Sequence, residues 1–460
     1  MAQPIKSVHI TNYYHKNSGG ISTSFNNLLA AAERHRRFVR LIVPGVAEAV
    51  EDVNPFAKIY YVPANYSPIF DKRYRIIMPW QYIGKDSIVR RILLDEMPEM
   101  IEVTDKYTLS MLGAMIRRNN FKSLKRPMMV HFSCERMDDN ISSFLTGRAP
   151  GKWLARRVIG NYTLPNFDFH LANSTYTAEE FYSSISAEDN PRRLNSFLNW
   201  CWRTFKAPRV AVGERIFVCP RGVDSVHFTP DRLSDKVRRE MVERAGVPED
   251  AVILFYAGRL SPEKNIGLLV EMMKILGKDT DQDYRLLIAG AGPQSGWLQQ
   301  ESERNTPGKI IQLGHLEKET LASYYANADV FVHPNPKEPF GIAPLEAMAS
   351  GTPTVAPRAG GILSYATTEN AWLVEPTGEE FAKAVREVVA DDERREKKTI
   401  KALETARANS REASTDHLFA TYDKIYASFQ ERRELFTDIE RAEEFDFVGE
   451  LLDGKRVQAA

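Results

Sequence analysis

Residues Ile253–Ala289 read ILFYAGRLSPEKNIGLLVEMMKILGKDTDQDYRLLIA. The stretch opens and closes on short apolar runs, Ile253–Ala257 and Arg285–Ala289, each of strand length. Gly258 permits a tight turn after the first run, and a helical pattern fills the space before the second. Strand, helix and strand in that order form a parallel pair, because the helix carries the chain back to the end of the sheet where the first strand began.

The same rhythm extends in both directions. Upstream, strands are predicted near Ser7–Thr11, Phe38–Val43, Ile59–Val62, Met100–Val103, Met128–Phe132 and Phe167–Ala172, with helical patterns such as Ile21–Arg34 and Tyr107–Arg118 between them. The second series adds Ile216–Cys219, Ile310–Leu313, Val330–His333, Thr354–Ala356 and Trp372–Val374. Two such series predict an α/β chain with two doubly wound, Rossmann-like parallel-sheet domains. A boundary within Lys206–Gly213 gives an N-terminal domain at residues 1–208 and a second at 209–412. Residues 413–460 read as helices followed by an acidic, then polar tail, Glu443–Ala460, expected to be poorly ordered. In open sheets of this kind ligands sit beyond the carboxyl ends of the strands. Two domains facing each other by those ends would enclose a cleft.

Composition narrows the function classes. The 460 residues carry 61 basic and 61 acidic side chains, so no net field draws the chain to nucleic acid. No window approaches the roughly 18 uninterrupted apolar residues of a membrane span. The start, MAQPIKSVHITNYY, has no long apolar core of a secretion signal. Cys134, Cys201 and Cys219 are odd in number and far apart, which suits neither a disulfide framework nor a zinc knuckle. A cytoplasmic protein is expected.

The chemistry is expected at strand ends. In PKEPFGIAPLEAMASGTPTVAP, Pro336–Pro357, a helix is predicted from Gly341, with Pro344 in its first turn where a missing N–H matters little. The free N–H groups of Phe340, Gly341 and Ile342 then form an anion site at the helix start. Glu338 stands just outside it, where it can face the reacting part of a ligand. Glu346 stands one to two turns inside, where it can accept hydrogen bonds from vicinal hydroxyls. Arg259 and Lys264 leave the carboxyl end of the strand Ile253–Ala257 and offer a fork and a point charge suited to a diphosphate. In YYHKNSGGISTSF, Gly19 and Gly20 sit where a turn meets a helix start and let backbone approach a phosphate. That pair is not the G-x-G-x-x-G fingerprint, so a dinucleotide cofactor is not expected. His131 ends an apolar strand, which fits either a satisfied core histidine or a contact at the mouth of a cleft. Asn173, Ser174 and Thr175 lie between a strand end and a helix, as capping residues do.

Other stretches carry competing readings. Asp279, Asp281 and Asp283 alternate like a metal loop, yet Tyr284 stands where a calcium loop wants Gly. They also enter their strand at its amino end, so a polar turn is expected and no metal. Pro191–Arg209, PRRLNSFLNWCWRTFKAPR, interleaves Arg and Lys with Phe197, Trp200, Trp202 and Phe205. It fits an anionic bilayer surface or a packed insert between domains.

Several motifs in one order resemble the retaining glycosyltransferases of GT-B fold, the group that includes bacterial mannosyl- and glucosyltransferases and sucrose synthases. They are VCPRGVDSVHFTP, YAGRLSPEKN, LLIAGAGP, IQLGHLEKETLASYYANADVFVHP, EPFGIAPLEAMASGTPTVAPRAGG and AWLVEP. In the first half only the Gly19–Gly20 loop, His131 and ANSTYTAEEF share the resemblance. It implies that Glu338 lies beside the donor sugar and Glu346 binds the ribose hydroxyls. Arg259 and Lys264 would neutralise the diphosphate, Gly19 and Gly20 would approach it, His131 would contact the sugar, and the base would stack near His315 and Leu316. The last helices would cross back to the first domain. The implied activity is transfer of a hexose from a UDP- or GDP-sugar to a glycan, lipid or small-molecule acceptor, with retention and without metal or other cofactor. Membrane contact would be peripheral, at the inner face. The alternatives are a sugar-nucleotide epimerase or phosphorylase of the same fold, and a catalytically silent glycan- or lipid-binding protein.

Overall fold

Val252–Ala257 is a strand, Gly267–Leu276 a helix and Tyr284–Ala289 a second strand, paired in parallel with Val252 opposite Tyr284. The computed structural model describes residues 5–14, 20–67, 74–144, 148–186 and 192–452. The chain divides into two units, Met1–Cys219 with Thr415–Ala460, and Pro220–Ser414.

The first unit holds β1 (Ser7–Ile10), β2 (Val39–Gly45), β3 (Ala49–Asn54), β4 (Ala57–Pro63), β5 (Asn65–Tyr66), β6 (Arg75–Ile76), β7 (Met100–Val103), β8 (Met128–Ser133), β9 (Phe169–Ala172) and β10 (Ile216–Val218). Eight of them form one sheet in the order β10-β9-β8-β7-β1-β2-β4-β3. Its pairs are parallel except for the edge strand β3, which runs antiparallel to β4. β5 and β6 pair with each other only.

The second unit holds β11 (Val252–Ala257), β12 (Tyr284–Ala289), β13 (Ile310–Gly314), β14 (Val330–Val332), β15 (Thr354–Pro357) and β16 (Trp372–Val374). Its sheet is wholly parallel, in the order β13-β12-β11-β14-β15-β16. Both faces are covered: Ile253 and Phe255 join one core cluster, Leu254 and Tyr256 the other. That is why the strands read as continuous apolar runs rather than alternating ones. The strand order reverses between β11 and β14. A reversal leaves a crevice at the carboxyl ends, because the helices that follow the two strands lie on opposite faces.

Two sequence expectations change. Ile216–Cys219 was expected to open the second domain. Instead β10 pairs with β9, Ile216 opposite His170, and the boundary moves from residues 208–209 to Cys219–Pro220. The pairing partner lies 46 residues upstream and leaves no local trace. The tail beyond Glu443 was expected to be poorly ordered, but Phe447 is fully buried and Val448–Leu452 makes a π-helical turn. Residues 453–460 lie outside the described residues.

From Thr415 onward the helix Arg411–Glu431 belongs to the first unit. The Tyr422 hydroxyl donates to Glu102 at 2.6 Å, and Arg34 donates to Asp416 at 2.7 Å. Among the described residues no helix is long and apolar enough to cross a membrane.

Candidate active site

The carboxyl ends of β11 and β14 bring together residues 74 positions apart. After β11 the chain turns through Gly258 and Arg259 into a short 3-10 helix, Pro262–Lys264. Asn265 follows in the left-handed region, φ 55°, and donates to the Pro334 carbonyl at 3.0 Å. That bond ties the Lys264 turn to the loop leaving β14.

Glu338 sits on that second loop. Its Oε2 accepts from Lys264 Nζ at 2.7 Å and from Asn335 Nδ2 at 3.0 Å, and His333 Nε2 lies 3.9 Å away. Burial is the largest single influence and opposes ionisation of Glu338, but Lys264, His333 and the Asn335 hydrogen bond together outweigh it, and the carboxyl is held at about 2. Glu338 is therefore a carboxylate at neutral pH. His333 is buried, and burial pushes it down to about 4, so its ring is neutral there.

The loop is braced from behind. Gly361 N–H donates to the Glu338 carbonyl at 2.7 Å. A Cβ on Gly361 would stand 1.9 Å from the Pro339 oxygen, so only glycine allows this approach. Gly341 takes φ 89° and caps the helix Ile342–Ala349, with the Tyr365 hydroxyl bonded to its carbonyl. The helix thus starts at Ile342, one residue later than expected, with Pro344 in its first turn. Inside it, Glu346 accepts from the Tyr325 hydroxyl at 3.1 Å. Burial pushes Glu346 up to about 7, against the pull of that bond and of Arg411 and Lys318.

The structure thus brings Lys264, Glu338, Gly341, Ile342 and Glu346 to one rim of the second unit. Arg259 is exposed beside them, its carbonyl 3.3 Å from the Tyr256 hydroxyl. The Phe340 side chain points into the core, edge-on to Tyr365. His315 is exposed after β13, whereas Leu316 is buried in the core. Gly20 begins the helix Gly20–Arg34 in the first unit, and Gly19 lies outside the described residues. His131 lies inside β8, two residues before its end. Its ring is fully buried against Phe167, His170 and Phe181, and burial pushes its pKa well down. It has no exposed edge within its unit.

Sequence reasoning missed His333, Asn335, Asn265, Tyr325, Tyr365 and the Gly360–Gly361 turn. The signal for Asn335 and His333 was their place in HPNPKE, directly between a strand end and the acid. The Asp279–Asp283 run is occupied by cations of the protein. Arg386 forks onto Asp279 at 2.7 and 2.8 Å, while Arg285 and Lys309 hold Asp283.

Residues 237–404 match the family model Glycosyl transferases group 1. The chain is 29% identical over 394 residues to the GDP-mannose-dependent alpha-(1-6)-phosphatidylinositol dimannoside mannosyltransferase of Mycobacterium tuberculosis, covering 85% of this chain and 89% of that one. The fold of the chain is that of the GT-B glycosyltransferases, and residues 237–404 carry the similarity to group 1. Its Glu338 and Lys264 both fall within the part matched by the family model. The chain is also 36% identical over 222 residues to the D-inositol 3-phosphate glycosyltransferase of Geodermatophilus obscurus, across 45% of this chain and 47% of that one. Its fold is that of the sucrose-phosphate synthase of Thermosynechococcus elongatus, with a TM-score of 0.67, 20% identity and coverage of 92% and 100% of the two chains.

Proposed function

We propose that the rim around Glu338 binds the donor of a metal-independent, retaining hexosyl transfer from a UDP- or GDP-sugar. The observation that carries this is the Lys264–Glu338–Asn335 cluster beside the helix start at Ile342, at the reversal of the strand order. Arg259, Lys264 and the free N–H groups of Phe340, Gly341 and Ile342 neutralise the diphosphate, taking over the role of a cation. Glu346 accepts hydrogen bonds from the ribose hydroxyls, and the base lies towards His315 and Leu316. The similarity to a GDP-mannose-dependent enzyme along 85% of the chain favours GDP-mannose as the first donor to test.

Glu338 stays ionised at neutral pH, and its second oxygen would face the sugar. It stabilises positive charge developing at the anomeric carbon and is too weak a base to take the acceptor proton. The bond from that carbon to the diphosphate oxygen breaks while the bond to the acceptor oxygen forms on the same face. The acceptor proton passes to the departing phosphate. Gly19, Gly20 and His131 remain proposed contacts of the first unit, with His131 requiring movement of its packed surroundings to reach a ligand. The acceptor is a glycan, a lipid or a small molecule, and the proposed reaction runs in the cytoplasm.

A thermal-shift panel of nucleotides and nucleotide sugars tests the donor. A ligand at a hundred times its dissociation constant stabilises by about 2.7 kcal/mol. No shift with any GDP- or UDP-sugar would remove the proposal and favour a silent binding protein.

A further inference from the structure

The strand end beside Glu338 leaves one ring nitrogen unused. His333 follows directly on β14, and its backbone N–H donates to the Val355 carbonyl of β15 at 2.9 Å. Its Nε2 is buried, has no hydrogen-bond partner among the described residues, and stands 3.9 Å from Glu338 Oε2. That separation is about 1 Å beyond a hydrogen bond. A buried polar atom without a partner is uncommon in a folded protein. The ring is neutral at pH 7, so one nitrogen carries a proton and the other a lone pair. A lone pair on Nε2 would face a carboxylate oxygen and be repelled, so the carboxylate selects the tautomer with its proton on Nε2.

The hydrogen bonds that the Glu338 carboxylate accepts both fall on Oε2, from Lys264 and Asn335. The backbone around them is tied down: Asn265 holds the Pro334 carbonyl, Lys337 N–H donates to Asn335 Oδ1 at 3.0 Å, and Gly361 N–H holds the Glu338 carbonyl. Freedom is left to the side chains, and Lys264 has most of it, 26% exposed against 15% for Glu338 and 5% for His333. On the donor reading above, that ammonium is drawn to the diphosphate. A carboxylate oxygen accepts two hydrogen bonds, so its departure leaves one place open beside Asn335. A neutral N–H filling that place holds the oxygen without cancelling its charge, which the ammonium does while the two are paired.

We propose that His333 is a positioning residue for Glu338: when Lys264 turns to the diphosphate, the His333 Nε2–H takes its place on Oε2, and the carboxylate stays both aimed and charged. The inference rests on the donor reading and adds a second state of the same cluster.

Nitrogen-15 spectra of the histidine rings in the full chain test it, with the His333 signal identified by its loss in His333→Gln. The parent is expected to show a neutral ring protonated on Nε2, and saturating GDP or UDP is expected to move that proton downfield. The movement should shrink in Glu338→Gln; one of equal size there traces to the ligand alone and overturns the inference. So does a proton on Nδ1, or a signal unmoved by a nucleotide that binds, and both leave the donor reading standing. Binding of neither GDP nor UDP removes both readings. Substitutions separate positioning from packing. His333→Gln can set an amide N–H where Nε2 stands, whereas His333→Leu fills the space with carbon. Positioning predicts that turnover of GDP-mannose or UDP-glucose falls about tenfold or more in His333→Leu, with nucleotide affinity kept, and stays near the parent's in His333→Gln. Packing alone predicts the opposite order, because Leu suits a buried site better than Gln. A parental rate in His333→Leu, or an equal loss in His333→Gln, contradicts the proposal. If His333→Leu fails to fold, the spectra and His333→Gln decide.

Discussion

Replacing Lys264 by Met takes away the ammonium held 2.7 Å from Glu338 and leaves a carboxyl whose side chain is only 15% exposed. In the intact site that carboxyl is at about 2 against an ordinary 4.5. One pKa unit is worth about 1.4 kcal/mol, so the surroundings favour ionised Glu338 by about 3 kcal/mol. The folded pKa is the lower one. This stability is fully present above pH 4.5 and is lost as pH falls towards 2. Without Lys264, burial dominates and the carboxyl rises, so the sign reverses across the weakly acidic range. Removing one partner of a buried pair costs about 3–5 kcal/mol. For a unit of this size each kcal/mol lowers the melting temperature by about 2–4 °C, which predicts a fall on the order of 10 °C at pH 7. Adding Glu338→Gln to Lys264→Met is expected to recover much of it, and the four melting curves form a cycle that isolates the pair. A fall of less than about 2 °C, with no recovery in the double variant, would show an exposed ion pair worth about 1 kcal/mol or less. The strand-end cluster would then not be the electrostatic centre described above.

Gly361→Ala places a Cβ 1.9 Å from the Pro339 oxygen and is expected to cost about 1–3 kcal/mol while displacing the Glu338 loop. Melting and turnover should both fall, and an unchanged enzyme would contradict the bracing role of that turn. Turnover is expected to survive EDTA, whereas loss restored by magnesium or manganese would return a metal to the mechanism. Trp202→Ser is expected to unfold the first unit, since the indole is fully buried and hydrogen-bonded to Gly160. Near-parental melting would refute that packing.

The second unit was legible because parallel strands buried on both faces leave unbroken apolar runs, and their carboxyl ends mark where a ligand sits. Lys264, Glu338 and Glu346 could be picked out from that position alone. Asn335 and His333 stand in HPNPKE between that strand end and the acid, but their contacts with Glu338 depend on how the loop closes, which the sequence does not specify. Burial of His131 was equally hidden: a strand end and a strand interior two residues earlier look alike in sequence. The helical phase of Leu198, Cys201, Trp202 and Phe205 was visible as an i, i+3, i+4, i+7 stripe. It distinguishes inward Trp202 from outward Trp200, which composition alone does not. β10 was misplaced because parallel pairing is set by distant residues.

The division of labour between the two glutamates is tested most directly by nucleotide dissociation constants and single-turnover rates for Glu338→Gln and Glu346→Gln. Glu338→Gln is expected to cut the chemical step sharply and leave nucleotide affinity near the parent's. Glu346→Gln is expected to weaken nucleotide binding by about 1–3 kcal/mol. It should also flatten the pH dependence of binding around 7, where the parent's carboxyl ionises and becomes the stronger acceptor. Loss of nucleotide binding in Glu338→Gln, with only the chemical step lost in Glu346→Gln, would reverse the two roles and contradict the proposed placement of sugar and ribose.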